Sequence, residues 1–360
     1  MSSPFPRVLA VACAALAFSF SLRPALAADD AIHGAGSSAA APVYRIWAAE
    51  YVREQGTTLA YDPIGSGAGM ARITKREVDF GASDIIASTA DLKKNDLVMI
   101  PTVITGVVPV VNLPHVGPNA LHLDGPVLAR IFLGQITAWD APEIRALNPE
   151  LKLPSRPIQL VARADGSGTT YHFAEYLSRV SPAWNQARAV ASHYDWPAGT
   201  LAVKGSSAVS ETVRATPGAI GYIDYNYLVD DNLAGVAMKN AEGQFVTAGV
   251  EGFREAVMHS AWFTQGDFSA SIADLPGAKT WPITMGTYVA LPRVAAQGER
   301  TERALRFITW AYLHGDALAR QARFVPLPEK VQASAYREIA RVSDASGQSL
   351  GARLMGQLVN

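Results

Sequence analysis

The segment Arg163-Ala164-Asp165-Gly166-Ser167-Gly168-Thr169-Thr170 decides how this sequence is interpreted. It follows Ile158 to Val161, which predicts a strand, and it leads into Thr169 to Val180, which has the apolar spacing of a helix. Glycine lets the backbone approach a ligand, and serine and threonine add hydroxyl donors. An arginine before such a loop offers a two-pronged donor for an oxyanion, and a nearby aspartate can hold it in place. The segment therefore predicts an anion site at a helix N-terminus, where unpaired N–H groups and the helix dipole favour negative charge.

Two earlier segments repeat this arrangement. Gly34-Ala35-Gly36-Ser37-Ser38 precedes a predicted helix at Ala41 to Gln55, and Ile64-Gly65-Ser66-Gly67-Ala68-Gly69 leads into a predicted helix at Gly69 to Glu77. A helix start favours an anion by ~0.3–1 kcal/mol when exposed and by up to ~2 kcal/mol when partly buried. Ordinary capping by serine explains any single loop better. The anion site therefore depends on the three loops meeting in space.

Composition sets the class of protein. The chain has 360 residues, of which 49% are hydrophobic and 18% charged, so it can bury a core and fill about two domains. Strands that alternate with helices predict an α/β architecture with mostly parallel sheets. Ile100 to Asn112 predicts a buried strand, in which Pro109 is expected to mark a break or a bulge. The net charge of −1 argues against a nucleic-acid partner.

The N-terminus has the pattern of a secretory signal. Arg7 precedes the apolar run Val8 to Phe20, and Ala25-Leu26-Ala27 has the small residues of a cleavage site. The run is shorter than the ~20 residues that span a bilayer. We therefore expect residues 1–27 to be a cleaved signal peptide. Cys13 is the only cysteine of the chain and lies within it, so the mature protein is expected to have neither a disulfide nor a thiolate nucleophile.

Taken together, the segments resemble the periplasmic phosphate-binding proteins of bacterial phosphate ABC transporters, the Pst system. The resemblance is carried by the three loops and by further segments in the family's order, namely Val78-Asp79-Phe80-Gly81-Ala82-Ser83-Asp84, Pro101-Thr102-Val103-Ile104, Ile131-Phe132-Leu133-Gly134, Pro217-Gly218-Ala219-Ile220-Gly221-Tyr222 and Trp281-Pro282-Ile283-Thr284. It implies a type II periplasmic binding protein fold, which is α/β with two lobes and a ligand cleft between them. Lobe one would comprise residues 28–106 and 281–360, and lobe two residues 107–280.

The resemblance also implies a set of phosphate ligands. Lobe one would supply the Ser38 hydroxyl, the Ala39 backbone N–H, both donors of Ser66, and Asp84 as acceptor of a phosphate proton. Lobe two would supply Arg163 as ion-pair partner, Asp165 to orient it, and Ser167, Gly168 and Thr169 to cap the anion. Ser37 would lie outside this set.

Two departures from the family pattern leave alternatives open. Ala39-Ala40 stands where the family usually has an aromatic residue followed by Pro or Ala, and Ile85-Ile86-Ala87 stands where it usually has a small residue and Pro. The chain is therefore expected to be the periplasmic, monomeric receptor that delivers phosphate to an inner-membrane ABC permease, or a specialised paralogue for phosphate sensing, for scavenging or for another oxyanion.

A secreted phosphatase-like hydrolase is the second class of function. Such an enzyme would use Ser66 or Ser167 and would need a neighbouring base or a metal site, and the sequence has a motif for neither. No two histidines have metal-ligand spacing on one helix, and His172, soon after the third loop, is interpreted as structural. We therefore expect a binding protein without metal or cofactor.

Overall fold

The computed structural model describes Met1 and residues 31–296 and 298–358. The predicted cleavage site and Cys13 lie outside the described residues. Within the described ranges, no helix is both long enough and apolar enough to cross a membrane.

Strands and helices alternate along the chain. The strands are β1 (Ile32–Gly36), β2 (Leu59–Asp62), β3 (Phe80–Ser83), β4 (Leu97–Val111), β5 (His122–Leu123), β6 (Gln159–Arg163), β7 (Leu201–Val203), β8 (Ala219–Asp224), β9 (Ala234–Gly235), β10 (Ala237–Lys239), β11 (Phe245–Val246), β12 (Thr284–Pro292), β13 (Val294–Ala295), β14 (Val325–Pro326) and β15 (Ser343–Asp344). The helices are α1 (Ala41–Gln55), α2 (Ser66–Thr74), α3 (Thr89–Lys94), α4 (Gly125–Phe132), α5 (Pro142–Leu147), α6 (Gly168–Val180), α7 (Pro182–Ala187), α8 (Ser206–Ala215), α9 (Tyr225–Asp230), α10 (Val250–Met258), α11 (Ala261–Gln265), α12 (Gly298–His314), α13 (Asp316–Gln321), α14 (Glu329–Ala340) and α15 (Leu350–Leu358).

The long strand β4 organises the main sheet, whose order is β2-β1-β3-β12-β4-β8-β6-β7. Residues 97–106 of β4 pair antiparallel with β12, and residues 107–111 pair antiparallel with β8. On either side of this centre, β1 pairs parallel with β2 and β3, and β6 pairs parallel with β7 and β8. The sheet is therefore mixed, and the prediction of mostly parallel sheets is wrong because β4 and β12 run antiparallel through its middle. The change of partner falls at the expected lobe boundary, which itself stays a prediction.

The prediction of a break or bulge at Pro109 is also wrong. Pro109 pairs with Tyr222 inside a continuous strand, and its carbonyl accepts the amide of Val236 at 2.9 Å. The register with β8 is unshifted from Val107 to Val111, so the strand accommodates the proline without a bulge. The irregularity lies instead opposite Thr102, between Thr287 and Tyr288 of β12.

Four buried groups of the site lie where strands end. Ser38 follows β1, Asp84 follows β3, Arg163 closes β6 and Asp224 closes β8. In open α/β sheets, ligands bind outside the carboxyl ends of the strands, because helices begin there. Gly34 and Gly36 belong to β1, so the first glycine-serine segment is mostly strand, and only its serines lie in the connection to α1.

The position of α2 depends on Gly69. A Cβ at this residue would lie 2.4 Å from Gly36 Cα and 2.6 Å from the Ala35 carbonyl oxygen, and these backbone atoms cannot rotate away. Contact this close lets α2 lie directly on β1 and brings its first residue, Ser66, to the strand ends.

We expect Gly69→Ala to lower the free energy of unfolding by about 1–3 kcal/mol through overpacking, although alanine favours helix by about 1 kcal/mol over glycine. Urea unfolding followed by circular dichroism measures this change. Gly356→Ala in α15 is the matched control, since its added methyl group meets open space. Equal stability of Gly69→Ala and wild type would contradict the close contact.

Candidate anion-binding site

Asp84 is the acceptor at the centre of the site, and it is almost completely buried. Its carboxylate accepts the Ser37 hydroxyl at 2.8 Å, the Ser66 hydroxyl at 3.1 Å and the Thr287 hydroxyl at 2.6 Å. Ser66 Oγ also accepts the Asp84 N–H at 3.2 Å. Three donors keep this buried carboxylate satisfied, as a charge removed from water requires.

Arg163, which is buried, and Asp165, which is partly exposed, form a two-pronged ion pair. Arg163 Nε donates to Asp165 Oδ1 at 2.7 Å, and Nη2 donates to Oδ2 at 2.5 Å. Burial opposes both charges, but their mutual attraction prevails, so the pKa of Arg163 is raised and the pKa of Asp165 is lowered. Only Nη1 points elsewhere, toward the hydroxyls of Ser206 at 3.2 Å and Thr169 at 3.5 Å.

A second buried carboxylate, Asp224, lies beyond these hydroxyls. Its Oδ2 accepts Ser206 Oγ at 2.6 Å and its Oδ1 accepts Thr169 Oγ1 at 2.9 Å. Burial raises the pKa of Asp224 to about 6, and the Asp84 charge adds to the rise, while Ser206 and Arg163 oppose it. The site thus contains a guanidinium facing hydroxyls that are themselves held by a carboxylate.

The loops meet, as the hypothesis of a common site requires. Gly67 N–H donates to the Gly166 carbonyl at 3.1 Å. The Ser38 and Ser206 hydroxyls are 3.1 Å apart, and Tyr227 donates to the Ser38 carbonyl at 3.1 Å. These bonds join elements that are distant in sequence through small polar groups.

Glycine makes the approach of the loops close. A Cβ at Gly168 would lie 2.4 Å from Asp84 Cβ, so the first residue of α6 rests directly on Asp84. Gly65 has φ +92°, and a Cβ there would lie 2.4 Å from Asp165 Oδ2. Larger residues at these two positions would separate the loops.

The remaining predicted residues are buried within the same loops. Ser167 is fully buried, and its hydroxyl accepts the Thr170 N–H at 3.2 Å, which makes it the N-cap of α6. Ala39 is fully buried just before α1. Ser37, which we expect outside the ligand set, donates its hydroxyl to Asp84.

His172 joins α6 to the Asp84 backbone. Its Nε2 lies 2.6 Å from the Asp84 carbonyl, and its Nδ1 lies 3.1 Å from Glu175 Oε2. Both ring nitrogens face acceptors, an arrangement that favours the doubly protonated ring. Burial opposes that charge, but Glu175 and Asp84 outweigh it and raise the pKa of His172.

The sequence patterns do not predict Thr287, Ser206 and Asp224 as site residues. Ser206 had a usable signal, because Gly205-Ser206 starts α8 as Gly65-Ser66 starts α2, with both glycines at positive φ (+82° and +92°). Thr287 lies in the middle of an apolar strand and Asp224 at a strand end, and neither has a local pattern that distinguishes it. Chemically, the site offers hydroxyls, helix starts and one engaged guanidinium to an anion, and carboxylates to any proton which that anion carries.

Comparison with known proteins assigns the chain to a class. Residues 23–313 match the family model described as a PBP superfamily domain. The chain therefore belongs to the PBP superfamily, and the α/β two-lobe fold predicted from the sequence is confirmed.

Curated relatives narrow the class. Phosphate-binding protein PstS of Haemophilus influenzae is 39% identical over 84% of this chain and 90% of its own length. Phosphate-binding protein PstS of Xylella fastidiosa is 38% identical over 85% of this chain and 84% of its own. Within the superfamily, the chain belongs to the family of these PstS proteins. A solved structure of the high-affinity periplasmic phosphate-binding protein PfluDING, bound with phosphate, matches with a TM-score of 0.69 at 21% identity and covers 90% of this chain and 97% of its own, which shows a common fold.

We expect His172→Gln to flatten the pH dependence of stability. The raised pKa of His172 means that its charge stabilises the folded protein fully below the unfolded value of about 6.5, and that this contribution is lost as the pH rises through the folded pKa. Urea midpoints between about pH 6 and pH 8 should therefore fall more in wild type than in His172→Gln. His193→Gln, at an exposed position, should behave as wild type. Parallel pH profiles for wild type and His172→Gln would exclude a charged His172.

Proposed function

We propose that this protein binds inorganic phosphate in the periplasm and delivers it to an inner-membrane ABC permease. The proposal depends on one observation. Helix α6 begins against the Asp84 carboxylate, and the Arg163 guanidinium, which Asp165 holds, lies beside that helix start. Membership of the PstS family and the names of the curated relatives support the same ligand.

A carboxylate beside an anion site selects for a protonated anion. Ionised aspartate only accepts hydrogen bonds, and phosphate near neutral pH still has a hydroxyl to donate. Sulfate has none, so its oxygen would face Asp84 with no hydrogen between two buried acceptors. Asp84 therefore favours phosphate, and arsenate, over sulfate.

We propose for the remaining residues the ligand roles that the family resemblance implies. Ser38 and Ser66 supply hydroxyls, and Ala39 supplies a backbone N–H from the first loop. Arg163, held by Asp165, supplies the positive charge. Ser167, Gly168 and Thr169 place the N-terminus of α6 on the anion.

Binding without conversion is the activity that fits these side chains. The Ser66 hydroxyl is hydrogen-bonded to Asp84, and Ser167 caps α6, so neither is paired with a histidine or lysine base. Both nitrogens of His172 are engaged with oxygen acceptors. The chain belongs to a family named for binding, and we propose the same of this member.

The proposed lobes are residues 28–106 with 281–360, and residues 107–280. The contacts of Ser38 with Ser206, of Gly67 with Gly166 and of His172 with Asp84 would then all cross the cleft. Phosphate touches both lobes only when they are close, so it favours closure. The predicted signal peptide over residues 1–27 would bring this monomeric receptor to the periplasm.

Arg163→Ala should weaken phosphate binding by about 2–5 kcal/mol, because it removes the charge and leaves the partly exposed Asp165 carboxylate without its ion-pair partner. Titration calorimetry with inorganic phosphate, on protein stripped of ligand by unfolding, measures the change. The control is Arg214→Ala, an exposed arginine at the end of α8. Equal affinities of the two variants would refute the role of Arg163.

Asp84→Asn should lower the preference for phosphate over sulfate by about tenfold or more, since asparagine can donate to a sulfate oxygen. Competition calorimetry with phosphate, arsenate and sulfate gives the ratios for wild type and variant, with exposed Asp62→Asn as control. Wild type should bind arsenate and reject sulfate. An unchanged ratio in Asp84→Asn would remove Asp84 as the selector.

A further inference from the structure

Asp224 has no assigned role in the ligand set, yet it is completely buried within hydrogen-bonding distance of it. Its two oxygens hold the hydroxyls of Ser206 at 2.6 Å and Thr169 at 2.9 Å. Both hydroxyls also lie within reach of Arg163 Nη1, at 3.2 Å and 3.5 Å. Asp224 is thus separated from the guanidinium by a single layer of hydroxyl groups.

A phosphate dianion bound beside these hydroxyls would leave the site with excess negative charge. The Arg163 guanidinium is already neutralised by Asp165 through two hydrogen bonds. Arg163 on β6, Asp84 after β3 and Tyr227 on α9 are the charged and titratable groups that face Asp224. Like charges disfavour one another strongly in a buried site, and a group that can take a proton then does so.

The hydroxyl protons lead to the same conclusion. Each hydroxyl has one proton, and an ionised carboxylate can only accept. While Asp224 is ionised, the hydroxyls of Thr169 and Ser206 donate their protons to it. Toward any other neighbour, these hydroxyls can then act only as acceptors. A protonated Asp224 donates to one of them, and the proton of that hydroxyl is then free to point at an anion.

We propose that Asp224 is a positioning residue of the phosphate site, which takes up a proton when the phosphate dianion binds and thereby turns a hydroxyl that it holds into a donor. The proton comes from the buffer, and no bond of the phosphate breaks. This inference rests on the proposed function and adds a proton-linked step to it. The raised pKa of Asp224, about 6, agrees with a carboxyl that is ionised near neutral pH but that a neighbouring dianion can protonate.

Titration calorimetry with inorganic phosphate in buffers of different ionisation enthalpy tests the step. At about pH 8, where phosphate is mostly the dianion, wild type should take up close to one proton per phosphate, and Asp224→Asn should take up close to none. Uptake also makes affinity fall as the pH rises, by up to about tenfold per unit in wild type and far less in Asp224→Asn. Asp230→Asn, at an exposed position at the end of α9, should keep the uptake of wild type.

The outcomes separate this proposal from the proposed function. Failure of wild type to bind phosphate would overturn both. Binding without proton uptake in wild type, or uptake that persists in Asp224→Asn because Asp84 or the phosphate takes the proton, would overturn the role of Asp224 alone.

A second measurement tests the proposal even if Asp224→Asn folds poorly or loses phosphate binding. Carbon-13 labelling of the aspartate carboxyls in wild type should show one resonance moving to the protonated position when phosphate is added at about pH 8. Asp224→Glu removes that resonance while keeping a carboxyl, and so assigns it. A wild-type spectrum in which no aspartate carboxyl becomes protonated would overturn the proposal.

Discussion

The Arg163 guanidinium and the Asp165 carboxylate are removed from water together, and the geometry around them follows from that pairing. Two charges in a low-dielectric site cost several kcal/mol each unless they are well paired and hydrogen-bonded. The two-pronged contact provides the pairing, and the Gly205 N–H gives Asp165 a further donor at 3.2 Å. Gly65 is confined by the same carboxylate, because a side chain at that residue would overlap Asp165. The ion pair thus aligns the starts of α2 and α8 as well as the arginine.

Around this pair, the site is built from hydroxyl groups rather than from extra positive charge. Hydroxyls can donate or accept, so they can hold a carboxylate on one side and meet a ligand on the other. In the proposed site, such a layer would let a protein with a net charge of −1 bind an anion. It would also make the protonation of the buried carboxylates part of recognition, since each carboxylate affects which way a neighbouring hydroxyl points.

Aromatic packing holds each side of the site together, whereas polar contacts connect the two sides. Aromatic clusters pack on each side of the site, with Tyr44, Tyr61, Phe80 and Phe307 on one side and Phe132, Phe173, Trp196 and Tyr222 on the other. Between the sides, Ser38, Gly67 and His172 make short polar contacts. Polar contacts exchange readily with water and ligand, whereas packed cores do not. The proposed lobes could therefore separate and close as rigid bodies connected by β4 and β12.

Elements and loops that depend on near neighbours can be predicted from the sequence alone. The helix at Ala41 to Gln55 was predicted with its observed bounds, and the Arg163 to Thr169 segment was predicted as a strand end leading into a helix. Apolar periodicity, glycine and capping residues act within a few positions of the chain, so they can be read from it.

Which distant residues complete the site depends on the tertiary fold. Thr287 donates to Asp84 across 203 positions, and Ser38 contacts Ser206 across 168. The antiparallel pairing of β12 with β3 places Thr287 beside Asp84, and nothing local in a threonine within an apolar strand or an aspartate at a strand end reveals its partner. The hydrogen-bond partners of a buried polar group depend on which groups lie next to it after folding. The role of Asp224 can therefore be inferred only from the structure.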